Sequence, residues 1–138
     1  MKIVAANIGA WLADPQLPQA DLLQRLEEAF GGGAENADVK AEALTHWLNL
    51  QDEDHENKIL GLLKPALPDE TMSFLILRDS LMRSDAMQAK VAVALLASDS
   101  TLIQKQALEQ LEIITKQNLG TKPQDWADFL AEKYKKSD

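Results

Sequence analysis

Apolar residues recur at intervals of three and four along nearly the whole chain, and no stretch alternates strictly between apolar and polar residues. The first spacing places apolar side chains on one face of an α-helix, whereas strict alternation would indicate a β-strand. The pattern predicts eight amphipathic helices, beginning near residues 2, 19, 38, 54, 69, 85, 100 and 123. The chain is therefore expected to fold as an all-α protein.

Short segments rich in aspartate, serine, proline and glycine separate the predicted helices. Asp69 and the run 98–100 are typical N-caps, since a short polar side chain accepts hydrogen bonds from the free N–H groups of the first helical turn. Three glycines at 31–33 are expected to supply a left-handed helix end and a flexible joint. We expect one all-helical domain over residues 1–138, with a joint at 31–37.

A short motif recurs along the chain. The segment WLAD at 11–14 is similar to LLASD at 95–99, and an amphipathic helix follows each of them. A second similarity joins VKAEALTHWL, at 39–48, to IQKQALEQLE, at 103–112. One helical hairpin cannot bury its apolar stripe alone, so stacked copies of such a unit would build a continuous core.

The second helix of these units carries an alanine-leucine pair and then a large apolar residue. These are Ala43, Leu44 and Trp47 in one copy, and Ala107, Leu108 and Leu111 in the other. The pattern resembles HEAT-type repeats, and the segment 114–134, with Gly120 and Trp126, resembles the terminal segment of bacterial HEAT-like proteins. The resemblance covers residues 80–138 most fully and residues 1–70 loosely. It implies a short right-handed superhelix of about eight antiparallel helices; an irregular helical bundle is the alternative.

The two predicted terminal helices differ in polarity. Helix eight carries polar residues opposite Trp126 and Phe129, as the outermost helix of a repeat array requires. We expect it to cap the array by packing on helix seven through Trp126. Helix one has few polar side chains before Asp14, so we expect other helices of this chain or a second protomer to cover it.

Composition and charge limit the function classes. The 138 residues include no cysteine, which excludes disulfide bonds and thiolate zinc sites. The net charge of −8 arises in residues 1–70, which hold 13 acidic and 5 basic side chains. Proteins that bind nucleic acid usually present a basic surface to the phosphates. We therefore expect no nucleic-acid partner.

No apolar run approaches the roughly 20 residues that a membrane-spanning helix needs, so no membrane partner is expected. The start of the chain, MKIVAANIGAWLA, is interrupted by Asn7 and has Trp11 where a signal peptidase prefers a small residue. We interpret it as a core helix. A cytoplasmic protein is expected, with an exported form whose signal was removed as the alternative.

The motifs that could carry chemistry are incomplete. The acidic residues at 52–56 begin like a calcium-binding EF-hand loop, but Asn57 occupies the position that needs glycine. His46 and His55 do not form the helical pair that binds zinc. The glycines at 31–33 are not followed by the Gly-Lys-Ser/Thr of a phosphate-binding loop. We expect no catalytic, metal-binding or cofactor-binding residue.

The leading hypothesis is a non-enzymatic scaffold or adaptor module that binds a protein or peptide along one face, with a basic segment favoured by the acidic first half. Candidate partner-binding residues are polar positions opposite the apolar stripes: Arg25, Glu28, Glu42, His46, Lys105, Glu109 and Glu112. One alternative is a helical-bundle regulator, or an immunity-like inhibitor, of a basic partner. The least favoured is a HEAT-like DNA glycosylase, which would need a positive concave surface.

Overall fold

The structure is a computed structural model that describes residues 2–50, 55–64 and 67–133. Within these residues it contains eight α-helices and one π-helical segment. In chain order they are α1 (Ala5–Ala13), α2 (Gln19–Glu28), the π-helical segment (Ala29–Gly33), α3 (Ala37–Asn49), α4 (His55–Gly61), α5 (Glu70–Ser80), α6 (Asp85–Leu95), α7 (Thr101–Thr115) and α8 (Pro123–Lys133). The prediction of an all-helical protein is confirmed.

Polar side chains cap four of the described helices at their N-termini. Oδ1 of Asn36 and Oδ1 of Asp69 each accept a hydrogen bond from the backbone N–H three residues ahead, at 3.0 and 2.9 Å. The hydroxyls of Ser84 and Ser100 accept in the same way, each at 3.2 Å. These caps satisfy N–H groups that have no partner within the helix. The predicted caps Asp69 and Ser100 are confirmed.

The chain divides into two compact units, residues 1–54 and residues 55–138. The segment 31–37, where the sequence suggests a joint, lies inside the first unit. The expectation of one domain over residues 1–138 stays a prediction. Most of the acidic run at 52–56, and residues 134–138, lie outside the described residues.

The first unit is built around α3, which contacts α1, α2 and the π-helical segment. The apolar stripe of this helix, which includes the repeat positions Ala43, Leu44 and Trp47, is buried throughout: Val39, Ala43, Leu44, Trp47 and Leu48. Phe30 of the π-helical segment meets the Trp47 ring edge-on, with 5.5 Å between the ring centroids. In α1, Ile8 is fully buried, Trp11 is half-buried and Leu12 is exposed. Helix α1 is therefore covered on one face by helices of its own chain.

The three glycines at 31–33 make a close backbone contact. Gly32 has φ 127°, a conformation that favours glycine. The carbonyl of Gly33 accepts a hydrogen bond from the N–H of Ile3 at 2.8 Å, and the N–H of Glu35 donates to the carbonyl of Ile3 at 2.8 Å. The glycines therefore bring the start of the chain against the end of the π-helical segment.

Replacing Gly33 with alanine should destabilise the first unit. The added Cβ would lie 2.9 Å from the backbone oxygen of Glu28 and 3.2 Å from Cδ1 of Ile3, and backbone cannot move aside easily. We expect a loss of about 1–3 kcal/mol in the free energy of unfolding, as for other overpacked sites. Gly31→Ala is the matched control because nothing lies within 4 Å of its Cβ position, and it should change stability by less than about 0.5 kcal/mol. Urea unfolding of both variants measures this, and equal losses would contradict the close-contact explanation.

In the second unit, α6 is the central helix and contacts α4, α5, α7 and α8. Its sequence has few large polar side chains, which predicts burial on most sides. Six of its eleven residues are buried: Met87, Gln88, Ala89, Val91, Ala92 and Leu95. The prediction that α6 is buried on most sides is confirmed, and its four neighbouring helices pack around it.

Trp126 of α8 is buried as predicted, but α8 lies mainly against a different helix from the one expected. Trp126 is fully buried, and its Nε1–H donates a hydrogen bond to the carbonyl of Gly120 at 2.6 Å. The main contact of α8 is with α6, not with α7. Consecutive helices in a hairpin usually pack together, so the sequence predicted α7 as the neighbour of α8. That prediction was wrong, because the loop 116–122 places α8 against α6.

Candidate functional site

Large apolar side chains are exposed mainly in one region of the described chain. The exposed fractions are 39% for Phe74, 51% for Leu81, 89% for Met82, 54% for Leu102 and 69% for Ile113. All five belong to α5, the turn after it, or α7. A sixth, Leu12, belongs to the first unit. Single exposed apolar residues are ordinary on protein surfaces, but a cluster of them marks a candidate interaction site.

Helices α5 and α7 run side by side in the same direction. At their N-terminal ends, the hydroxyl of Ser100 donates to Oε2 of Glu70 at 2.5 Å. Further along, both helices line one groove of about 260 Å³, which we call the α5–α7 groove. Its lining residues are Phe74, Leu77, Arg78 and Leu81 from α5 and its end, and Gln106, Glu109, Gln110 and Ile113 from α7.

The lining residues follow from helical spacing. On each bank they recur at intervals of three and four, so they form one stripe along the helix. The stripe on α7 lies beside the buried stripe of Ile103, Ala107 and Leu111, which faces the core. The same helix therefore presents one apolar face to α6 and a second, partly apolar edge to the groove.

Polar groups at the groove differ in whether they are already bonded. Nε2 of Gln110 donates to Oε1 of Gln88 on α6, and Gln88 in turn donates to the carbonyl of Arg83 at 2.9 Å. The guanidinium of Arg78 lies 5.9 Å from the centre of the Phe74 ring. In the part of the chain that the structure describes, neither Arg78 nor Glu109 forms an ion pair. A cation and an anion that have no ion pair within the described residues thus line opposite banks.

The structure brings only part of the predicted partner-binding set to this groove. Glu109 lines it. Lys105 is exposed and Glu112 half-buried on α7, outside the lining. The other four belong to the first unit, where the guanidinium of Arg25 lies 5.7 Å from the centre of the Trp11 ring. The remaining three are Glu28, Glu42 and His46, of which the first is exposed and the other two are half-buried.

Sequence reasoning missed the apolar part of the groove. Its exposed apolar residues Phe74, Leu81 and Ile113 are absent from the predicted partner-binding set, which contains only polar and charged positions. A signal existed in α7, where Leu102 and Ile113 stand away from the spacing of Ile103, Ala107 and Leu111. Apolar residues beyond those that one buried stripe needs indicate a second contact surface.

Two further clefts lie in the second unit. One cleft, of about 760 Å³, is lined by small residues of α6, by Leu60 of α4 and by Leu130 of α8. The other, of about 720 Å³, lies at the N-terminal ends of α5 and α7. There the cap interactions of Asp69 and Ser100 already use the nearby N–H groups. Neither cleft gathers exposed large apolar side chains as the α5–α7 groove does.

Two buried serine hydroxyls and the placement of histidine and acidic side chains bear on catalysis and metal binding in the described residues. The buried hydroxyls of Ser73 and Ser80 donate to the backbone carbonyls of Pro68 and Leu77. Across residues 2–50, 55–64 and 67–133, no three histidine or acidic side chains are grouped as metal ligands. None of the helices described is long and apolar enough to cross a bilayer.

Comparison of the chain with protein-family models, with curated proteins and with solved structures gives no match, so the α5–α7 groove is interpreted from its own geometry.

Proposed function

We propose that this protein is a non-enzymatic protein-binding module whose docking surface is the α5–α7 groove. The observation that carries the proposal is the exposure of Phe74, Leu81 and Ile113 along one groove between two helices. Water contact with these side chains is unfavourable by about 25 cal/mol per Å² of apolar area. A partner that covers them recovers this free energy.

The shape of the groove favours a polypeptide over a small molecule. Small-molecule sites are enclosed clefts of about 300–1,000 Å³ with a few convergent polar groups. The α5–α7 groove is smaller, at about 260 Å³, and runs along two helices. A groove between helices suits the apolar side chains of another helix, spaced three and four residues apart.

The helix arrangement of the second unit supports a HEAT-like stack as the scaffold, with an irregular bundle as the alternative. Helix α6 lies against α4 and α8 as well as against α5 and α7. Alternate helices would then form two layers, with α5 and α7 in one of them. In such a stack, side chains of one layer line an extended binding surface. We also retain the cytoplasm as the proposed location.

The acidic first unit provides a separate argument for a basic partner. Residues 1–54 contain ten acidic and three basic side chains. Complementary charge would speed association with a basic segment and set its orientation. Arg25, Glu28, Glu42 and His46 are the candidate contacts there. The proposal of a basic partner for the first unit rests on charge, whereas the proposal of docking at the α5–α7 groove rests on exposed apolar area.

The docking proposal is tested with helical peptides selected on the wild-type protein from a random display library. Ile113→Glu places a charge on the apolar bank and should weaken the selected peptides by about tenfold or more, because truncated or charged anchor positions cost over 1.4 kcal/mol. Leu102→Glu is the matched control, since it is an exposed leucine of the same helix outside the groove lining. Fluorescence anisotropy measures Kd for each variant. Peptides that bind Ile113→Glu as tightly as the wild type would disprove docking at this groove.

A further inference from the structure

We infer that the partner of the α5–α7 groove is a second copy of this chain, so that the protein forms a two-fold symmetric dimer through this surface. The inference rests on the proposed docking function and identifies its occupant. It is carried by the positions of Arg78 and Glu109 on opposite banks of an apolar groove.

The two charges lie at the same level along the groove. Glu70 and Ser100 are hydrogen-bonded to each other, and α5 and α7 continue from there in the same direction. Arg78 comes eight residues after Glu70, and Glu109 comes nine residues after Ser100. Each residue of an α-helix adds about 1.5 Å along the axis, so the two Cα positions differ in level by only about one residue.

This placement makes the surface complementary to itself. In an isologous dimer, a two-fold axis lying in the interface places the same patch of both subunits face to face. If the axis runs along the groove, α5 of one subunit lies over α7 of the other. Arg78 then faces Glu109 of the second copy, and the symmetry repeats this pair. Phe74, Leu81 and Ile113 are then enclosed in the interface, about one helical turn to either side of the two pairs.

An axis across the groove gives the opposite result. It would place α5 of one subunit over α5 of the other, near the middle of the groove, and the two copies of Arg78 would approach each other. Like charges in an interface cost several kcal/mol, whereas close opposite charges contribute favourably. The charges therefore select the arrangement with the axis along the groove. The absence of an ion pair at either residue in the described chain leaves both available for it.

Charge reversal tests the inference on the full chain. Analytical ultracentrifugation from micromolar to near-millimolar concentration should show a monomer–dimer equilibrium for the wild type. Arg78→Glu or Glu109→Arg alone should weaken the dimer on the order of 100-fold, because each replaces two opposite-charge contacts by two like-charge contacts. The double variant Arg78→Glu with Glu109→Arg should recover the wild-type equilibrium to within about threefold.

The controls change the net charge equally at two positions of α7 outside the groove lining, the exposed Lys105 and the half-buried Glu112. Lys105→Glu matches Arg78→Glu, and Glu112→Arg matches Glu109→Arg; both should leave the equilibrium unchanged. A wild-type protein that stays monomeric throughout, or a double variant that fails to recover, would overturn the inference. If the wild type is monomeric while selected peptides still distinguish Ile113→Glu from Leu102→Glu, the docking function stands and the self-association fails. If the selected peptides also bind Ile113→Glu as tightly as Leu102→Glu, both the docking function and the self-association are wrong.

Discussion

Replacing Trp126 with alanine is expected to lower the free energy of unfolding by about 3–5 kcal/mol, the range found when buried tryptophan or phenylalanine is truncated. Trp126 is fully buried in the second unit and meets Phe129 edge-on, with 6.4 Å between ring centroids. Its N–H also ties α8 to the preceding loop through the carbonyl of Gly120. Truncation removes apolar contacts, leaves a cavity and breaks this hydrogen bond.

The measurement combines urea unfolding with hydrogen exchange. Natural domains are stable by only about 5–15 kcal/mol, so this loss is a large fraction of the total. Exchange should accelerate in α8, which carries Trp126, and in α6, the helix that α8 lies against. Ile113→Ala is the comparison, because this side chain is mostly exposed and its truncation should cost less than about 0.5 kcal/mol. Similar losses for the two variants would show that Trp126 is not a core residue.

Local features of this fold could be predicted from sequence because their causes are local. Asp69 and Ser100 cap the helices that follow them through hydrogen bonds that span three residues. The stripe around Trp47 is buried because apolar residues at helical spacing must face a neighbour. Such features need no knowledge of which helix lies where.

The neighbours of α8 could not be predicted in this way. The pattern shows that Trp126 must be buried, but any apolar surface could bury it. Whether α8 lies against α6 or α7 depends on the path of the loop between α7 and α8, and the loop sequence leaves that path open. The nearest helix in sequence is the usual answer, and here it was not the right one.

The candidate site was predictable to a smaller extent. The exposure of Glu109 could be predicted, because polar positions opposite a buried stripe face solvent. The groove itself requires α5 to lie beside α7, two helices that α6 separates in sequence. Ile113 and Ile114 show what the sequence pattern cannot decide. These adjacent residues point about 100° apart around α7, and Ile113 is exposed whereas Ile114 is half-buried. Only the position of α5 makes one of them part of a groove.

Replacing Trp47 with alanine is expected to cost about 3–5 kcal/mol, comparable to the loss at Trp126, but in the first unit. Trp47 is 2% exposed, packs against Phe30 and donates from Nε1 to Oε2 of Glu27 at 2.9 Å. It therefore joins α3 to the end of α2 and to the π-helical segment. Trp47→Phe keeps much of the ring but loses the N–H, so it should cost less, about 1–3 kcal/mol.

Trp11→Ala is the matched control for this experiment, since the same side chain is removed from the same unit. Trp11 is only half-buried, and its ring lies under the exposed Arg25 guanidinium. Less apolar area is lost and water can enter the space, so the expected cost is about 1 kcal/mol. Urea unfolding of the three variants, with hydrogen exchange reporting on α2 and α3, should rank Trp47→Ala as the most destabilising. If Trp11→Ala costs as much, the first unit is held together through α1, and the central position assigned to the Trp47 indole is wrong.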